Sequence, residues 1–176
     1  LLRKSGGIEG EALQDLRRLL GAQLPPPPPE APTFSVGGVN NETCRDRPCA
    51  LIFLGGPVTK AQIPGIDGGF DGDMADGMAL MDTPEIRLAA SAIKMDLKGA
   101  HGVLVGDVDL PIPGWTVVPT AAKTRATFGL ADDDTAMLII DEEGRLAMRD
   151  VGLVPMYRWG EAADILRAEL MPEDDD

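Results

Sequence analysis

The sequence predicts an α/β protein in which helices cover both sides of a mixed sheet, giving a three-layer α/β/α sandwich. "CALIFLGG" (residues 49–56) is a continuous apolar run bounded by turn residues, which is typical of a strand covered on both faces. A helical pattern and a second apolar run, "HGVLVGDVDL", complete a β-α-β unit with parallel strands. "TAMLIID" and "RLAMRDVG" flank Glu142-Glu143-Gly144, which indicates an antiparallel hairpin.

Composition limits the classes of partner. The chain has 176 residues and 44% apolar content, enough for one domain with extensions. Its 16 basic and 29 acidic residues give a net charge of −13, which repels phosphate backbones and anionic lipid. No apolar run approaches the roughly 18 residues of a membrane span. We therefore expect protein partners, with no nucleic acid and no membrane span.

Residues 1–32 are predicted to form an amphipathic helix followed by a polyproline arm. "EGEALQDLRRLL" (9–20) places Leu13, Leu16 and Leu20 at helical spacing. Five successive prolines, Pro25 to Pro29, then impose an extended spacer. A helix of about twelve residues is marginal alone. Its leucines are therefore expected to lie on the domain or on a partner protein.

The predicted domain covers residues 33–171 and is followed by an acidic tail, 172–176. Residues 63–81 are rich in Gly, Asp and Met and are predicted to be a loop insertion. Two more strand segments are expected, a hairpin arm in "TFSVGGV" and a strand in "GWTVVP". Three helices are expected: one over 82–99 with an apolar stripe, one over 120–128 and a final one in "WGEAADILRAELM". The stripe of the helix over 82–99 is Ile86, Ala90, Ile93 and Leu97, and that of the final helix is Ala162, Ile165, Leu166 and Leu170.

The two cysteines, Cys44 and Cys49, are five positions apart and leave three readings open. They form a small disulfide loop, two quiet thiols or half of a metal site. His101 is the only histidine, so ligands for zinc are scarce. We expect no metal and no cofactor. The chain begins at Leu1 rather than Met, which fits removal of a targeting segment. The compartment stays unknown, and an organelle (plastid or mitochondrion) or the periplasm is favoured over secretion.

The 63–81 segment holds two further candidate sites. Asp67, Asp71, Asp73 and Asp76 supply oxygen ligands suited to calcium, but the spacing fails that of an EF-hand loop, so a solvated acidic loop is preferred. Met74, Met78 and Met81 fall at helical spacing. They are interpreted as an adaptable partner-binding surface, with one turn of core-facing helix as the alternative.

The order of elements resembles the thioredoxin fold, and more closely its peroxiredoxin (AhpC/TSA-like) branch. The resemblance rests on "HGVLVGDVD", on "WTVVPTAAKTRATFGL", in which a short strand leads to a helix ending in aromatic-Gly-aliphatic, and on the closing hairpin "AMLIIDEEGRLAMRDVG". Together with "CALIFLGG" it covers about residues 33–170. The resemblance implies a thioredoxin-like sandwich extended by the N-terminal helix and arm.

The same resemblance implies a reactive cysteine at the start of the helix after the first central strand. There the positive helix terminus lowers the thiol pKa. This chain instead has "GGPVTKAQ" (55–62), without cysteine, and Asp134 where redox-active relatives commonly have a cis-proline. We therefore favour a redox-inactive accessory or assembly subunit of a larger complex over an enzyme, and the enzyme question stays open. The alternative is a thiol-disulfide oxidoreductase or thiol peroxidase that uses Cys44 and Cys49.

Overall fold

A computed structural model of the protein describes residues 26–171. The predicted helix with Leu13, Leu16 and Leu20 and the acidic tail 172–176 lie outside the described residues. The strands are β1 (Ser35–Val36), β2 (Val39–Asn40), β3 (Cys49–Phe53), β4 (Met95–Asp96), β5 (His101–Val105), β6 (Thr116–Val118), β7 (Ala136–Ile140), β8 (Leu146–Val151) and β9 (Glu169–Leu170). The helices are α1 (Asn41–Asp46), α2 (Met74–Met81), α3 (Pro84–Ile93), α4 (Ala122–Thr127) and α5 (Met156–Leu166).

The central sheet has five strands in the order β6-β5-β3-β7-β8. β3 runs parallel to β5 and antiparallel to β7, and β5 runs parallel to β6. Phe53 at the end of β3 lies opposite Val105 and Ala136, so β3 and β5 end where β7 begins. We call this side of the sheet the carboxyl edge. At the opposite, amino edge, Cys49 lies opposite His101 and Ile140.

Both faces of the sheet are covered, because side chains of β3 alternate between two apolar clusters. Ala50 and Ile52 pack with residues of α3 and α5. Leu51 and Phe53 pack with the β1–β2 hairpin, α1 and the end of α4. The predicted α/β/α sandwich with a mixed sheet is thereby confirmed, and the order of its four core strands, β5-β3-β7-β8, is that of a thioredoxin-like α/β fold.

Three predicted elements differ from the structure. The 63–81 segment is not a loop throughout, because Asp73 accepts a hydrogen bond from Asp76 N and caps α2. The helix predicted over 82–99 ends at Ile93, and Leu97 is buried outside it. Leu170 does not continue the last helix, since β9 pairs with β4 instead. The chain after α3 and the chain after α5 form β4 and β9 instead. Their antiparallel pairing replaces the last predicted turns of both helices.

The end of the polyproline arm lies on the domain rather than standing clear of it. The carbonyl of Pro29 accepts a hydrogen bond of 2.8 Å from Leu146 N, and that of Pro28 accepts one of 3.3 Å from the Arg145 guanidinium. Ala31 N donates to Gly144 O at 2.9 Å. The arm therefore contacts the turn and first residues of β8, an edge strand with free main-chain groups.

The cysteines are joined in a disulfide, with a Cα–Cα distance of 5.3 Å. Cys44 lies in α1, and Cys49 is the first residue of β3. Asn40 starts α1 by accepting hydrogen bonds from Glu42 N and Thr43 N. Both cysteines have 0% exposure, so the bond ties a short capped helix to the central strand inside the core.

We expect the double substitution Cys44→Ala/Cys49→Ala to lower the free energy of unfolding by about 2 kcal/mol, the loop-closure value for so short a loop. Urea denaturation followed by circular dichroism measures the change. Wild-type protein in reductant should lose a similar amount, whereas the double variant should not respond to reductant. Equal stability of wild type and variant under oxidising conditions would contradict a stabilising role for the bond.

Candidate functional site

The carboxyl edge holds a pocket of about 420 Å³. Its walls come from residues that directly follow three parallel strands: Gly56 and Pro57 after β3, Asp107 after β5 and Pro119 after β6. α4 contributes Arg125. Ligands of open α/β sheets bind at this kind of position, beyond the carboxyl ends of the strands. The pocket is also where the sequence resemblance implies a reactive residue.

The Gly-Gly turn at the pocket is held by close approach and by hydrogen bonds. A Cβ atom on Gly55 would lie 2.0 Å from the carbonyl oxygen of Asp133, so a larger residue does not fit without a backbone shift. Gly55 N donates to Thr135 Oγ1 at 2.8 Å, and this hydroxyl donates to Glu85 Oε1 at 2.6 Å. The start of β7 and the first turn of α3 thus fix the chain as it leaves β3.

Arg125 is the buried charge of the pocket, with 6% exposure. Its guanidinium donates to the carbonyls of Leu54 at 2.6 Å, Asp134 at 2.7 Å and Ala131 at 3.1 Å. It also lies 5.3 Å from the centre of the Phe53 ring. Among the described residues no carboxylate forms an ion pair with it. Arg125 therefore acts mainly as a clamp that joins the ends of β3, α4 and β7.

The sequence analysis did not single out Arg125. The sequence does contain an indication of its burial. Thr124, Arg125 and Phe128 recur at helical intervals in "TAAKTRATFG", and the structure buries all three. A charged residue on the apolar face of a short helix implies buried acceptors. Those acceptors are main-chain carbonyls, which a sequence pattern does not reveal.

No sulfur lines this pocket in the described part of the chain. Thr59 precedes a single 3₁₀ turn, Lys60–Gln62, and Thr59 N donates to Gln62 Oε1 at 2.9 Å. Asp134 also has a structural role, since its side chain accepts a 2.7 Å hydrogen bond from Ala131 N. The pocket therefore offers one guanidinium, the carboxylates of Asp107 and Asp132, the Thr120 hydroxyl and apolar walls. These groups suit binding and include no thiol.

The cysteine pair is not part of this pocket. Cys49 begins β3 at the amino edge, whereas the pocket lies beyond the carboxyl end of the same strand. Both sulfurs are enclosed by apolar side chains, including Phe34 and Leu138. The structure thus separates the candidate redox pair from the candidate binding pocket by the length of the sheet.

The acidic loop does not converge on a cation position. No three His, Cys, Asp or Glu side chains in residues 26–171 are grouped to hold a metal ion, and this includes Asp67, Asp71, Asp73 and Asp76. Asp107 and Asp109, the two carboxylates that follow β5, have separate surroundings. Asp109 Oδ1 accepts a hydrogen bond of 2.6 Å from Lys60 N, whereas Asp107 lines the pocket.

The three methionines of α2 do come together. Met74, Met78 and Met81 line a second cleft, of about 590 Å³, with Phe70 and Arg87. Met74 is 83% exposed and Met78 66% exposed, while Met81 is half-buried. No residue of α2 is fully buried. We call Phe70, Met74, Met78 and Met81 the methionine groove.

A second exposed apolar group precedes and begins α5. Leu153, Met156 and Tyr157 are 45%, 61% and 67% exposed, and we call them the α5 patch. Arg158 holds this turn to β8 through a 2.9 Å ion pair with Asp150, which raises the pKa of the Arg158 guanidinium. The sequence analysis missed the patch, although the apolar run "VGLVPMY" before the helix was a signal for it.

Comparison with known proteins gives no family assignment. No protein-family model matches the chain, and no curated protein matches it. Among solved structures it is similar to a thiol:disulfide interchange protein, a thioredoxin family protein from Chlorobium tepidum TLS. The identity is 12% over 81% of this chain and 99% of that chain, with a TM-score of 0.39.

The strand order and the helix positions of the chain are those of a mixed α/β protein and are consistent with a thioredoxin-like α/β fold. The longest of its described helices, α5, has 11 residues, and none in that part of the chain has the length and hydropathy that a bilayer crossing requires.

We expect Arg125→Met to lower the free energy of unfolding by about 3 kcal/mol, because three carbonyls would lose their donor while the apolar volume is kept. Chemical denaturation measures this loss. Lys123→Ala, an exposed change on the same helix, is the control and should stay within about 0.5 kcal/mol of wild type. A loss for Arg125→Met no larger than that of the control would show that the clamp contributes little.

Proposed function

We propose that this protein is a redox-inactive thioredoxin-like domain, related to the peroxiredoxin branch, that acts through protein-protein contacts as an accessory or assembly subunit of a larger complex. One observation carries the proposal: the two cysteines are bonded and fully buried at the amino edge of the sheet. The pocket at the carboxyl edge has no sulfur among its described lining residues.

The physical reason is the requirement of thiol chemistry for an accessible thiolate. A thiolate attacks disulfides or peroxides when positive potential stabilises it and a substrate can reach it. Cys44 and Cys49 have 0% exposure, so a substrate has no path to either sulfur in the folded chain. The helix start that would lower a thiol pKa is replaced by the 3₁₀ turn Lys60–Gln62.

The surface supports a contact role. The exposed large apolar side chains include Met74 and Met78 of the methionine groove and the three residues of the α5 patch. Leu170 and Met171, at the end of β9, form a further exposed pair. Exposed apolar side chains that are contiguous mark interaction sites more often than isolated ones do. The net charge of −13 keeps such a surface soluble and favours partners that carry positive charge.

The second candidate function is a thiol-disulfide oxidoreductase or thiol peroxidase that uses Cys44 and Cys49. The formed disulfide favours it, since a bonded pair is one state of a redox couple. Arg45 and Arg47 are sequence neighbours of the pair and would help to stabilise a thiolate. This function needs local opening of α1 to expose the sulfurs.

Thiol assays separate the two functions. We expect wild-type protein to reduce insulin disulfides and to consume hydrogen peroxide no faster than Cys44→Ser/Cys49→Ser, because the buried pair does not meet substrate. A dithiol reductase run in parallel shows that the assays work. Wild-type activity that disappears in the double variant would overturn the redox-inactive proposal in favour of the oxidoreductase.

Purification from native material under mild conditions tests the contact role. We expect the chain to migrate with a large assembly rather than as a monomer. The Cys44→Ser/Cys49→Ser variant should enter the same assembly if it folds, which circular dichroism checks. Migration of the native protein as a monomer at all protein concentrations would contradict the role of assembly subunit.

A further inference from the structure

The methionine groove is an apolar surface that nothing in residues 26–171 covers. α2 has eight residues, four of them Met or Leu, and none is fully buried. A helix of this length is not stable in isolation, and packing of an apolar face normally stabilises it. α2 packs partly on α3, and its outer face remains open over a cleft of about 590 Å³. The groove is thus shaped to receive apolar side chains.

Arg87 links the carboxyl end of α2 to the segment that precedes α5. Its Nε donates to Met81 O at 2.7 Å and its Nη1 donates to Val154 O at 3.4 Å. Val154 lies between the patch residues Leu153 and Met156 in the chain. One guanidinium therefore holds the end of the methionine groove to the segment that carries the α5 patch.

The rim of the methionine groove is negatively charged. Asp73 and Asp82 line the cleft, and Asp67, Asp71, Asp76 and Glu85 lie in the same segment, between Lys60 and Arg87. The five aspartates are exposed. Arg87 is already paired with Asp82 at 3.5 Å, so it does not offset the remaining carboxylates. An occupant with acidic flanks would be repelled, whereas basic flanks are attracted over about 10 Å at moderate salt.

We propose that the methionine groove binds a basic amphipathic helix of a partner protein. Its apolar residues, spaced three and four apart, would enter the groove, and its Lys and Arg would face the aspartate rim. Flexible thioether side chains adapt to such helices. The lining is made of side chains and a helix rather than a strand edge, so a helix fits better than an added strand. This inference rests on the contact function proposed above.

The test uses the full chain and a synthetic probe. The probe is a fluorescein-labelled Leu/Lys peptide of about 14 residues, whose leucines follow the helical spacing, with a Leu/Glu peptide as its matched control. We expect the basic peptide to bind with micromolar affinity by fluorescence anisotropy and the acidic one at least about tenfold more weakly. Equal binding of both peptides, or no binding of the basic one, overturns the proposal.

Substitutions locate the binding. Met74→Gln/Met78→Gln should weaken the basic peptide at least about tenfold, and Asp73→Asn/Asp76→Asn should weaken it and reduce its salt dependence. Met171→Gln, an exposed methionine next to β9, is the matched control and should bind as wild type does. Unchanged affinity of the methionine variant would mean nonspecific attraction to an acidic protein and would overturn the proposal.

Two other occupants have distinct outcomes, and each overturns the partner assignment. If Leu13→Gln/Leu16→Gln/Leu20→Gln raises peptide affinity about tenfold, the chain's own N-terminal segment occupies the groove. If the wild type forms dimers that Met74→Gln/Met78→Gln abolishes, a second copy does. The peptide titration is independent of thiol chemistry. It can therefore fail while the thiol assays support the proposed function, and the reverse also holds.

Discussion

β3 is buried on both faces and hydrogen-bonded on both sides. The rest of the structure depends on this constraint. All five residues of β3 are at most 1% exposed. β5 and β7 use its main-chain groups, so no part of the strand needs solvent. Such a strand must have a helix layer on each side, and its two ends become the only places where it meets loops.

Those two ends separate two kinds of chemistry. At the amino edge the strand begins with a sulfur that is closed into a disulfide among apolar side chains. At the carboxyl edge it continues into Leu54 and Gly55, whose main-chain groups are bound by Arg125 and Thr135. The sulfurs are therefore enclosed, while the accessible pocket is lined by polar and apolar groups without sulfur. This division supports the contact function proposed above.

The acidic segment 61–86 adds a feature that the core does not require. α2 is short, incompletely buried and bordered by aspartates, so its intrinsic stability is low. Its position nevertheless depends on the core, because Arg87 of α3 holds both its last carbonyl and Val154 before α5. An exposed apolar surface is thus attached to the buried core.

The sequence by itself determined the α/β class, the identity of the core strands and the closing hairpin, because continuous apolar runs and turn residues are local signals. "CALIFLGG", "HGVLVGDVDL" and "TAMLIID" each form the predicted strand. It also indicated Met74, Met78 and Met81 as a set, since helical spacing brings them to one side, although it assigned the segment to a loop.

Only the tertiary structure decided what depends on residues far apart in the chain. The pairing of Met95 with Leu170 ends two predicted helices early, and neither helix pattern contains a sign of it. Arg125 is a clamp because the carbonyls of Leu54, Ala131 and Asp134 meet at its guanidinium. α2 is tied to the segment before α5 because the Arg87 guanidinium reaches both Met81 O and Val154 O. Main-chain acceptors and long-range contacts carry no periodicity, so they appear only when the chain is folded.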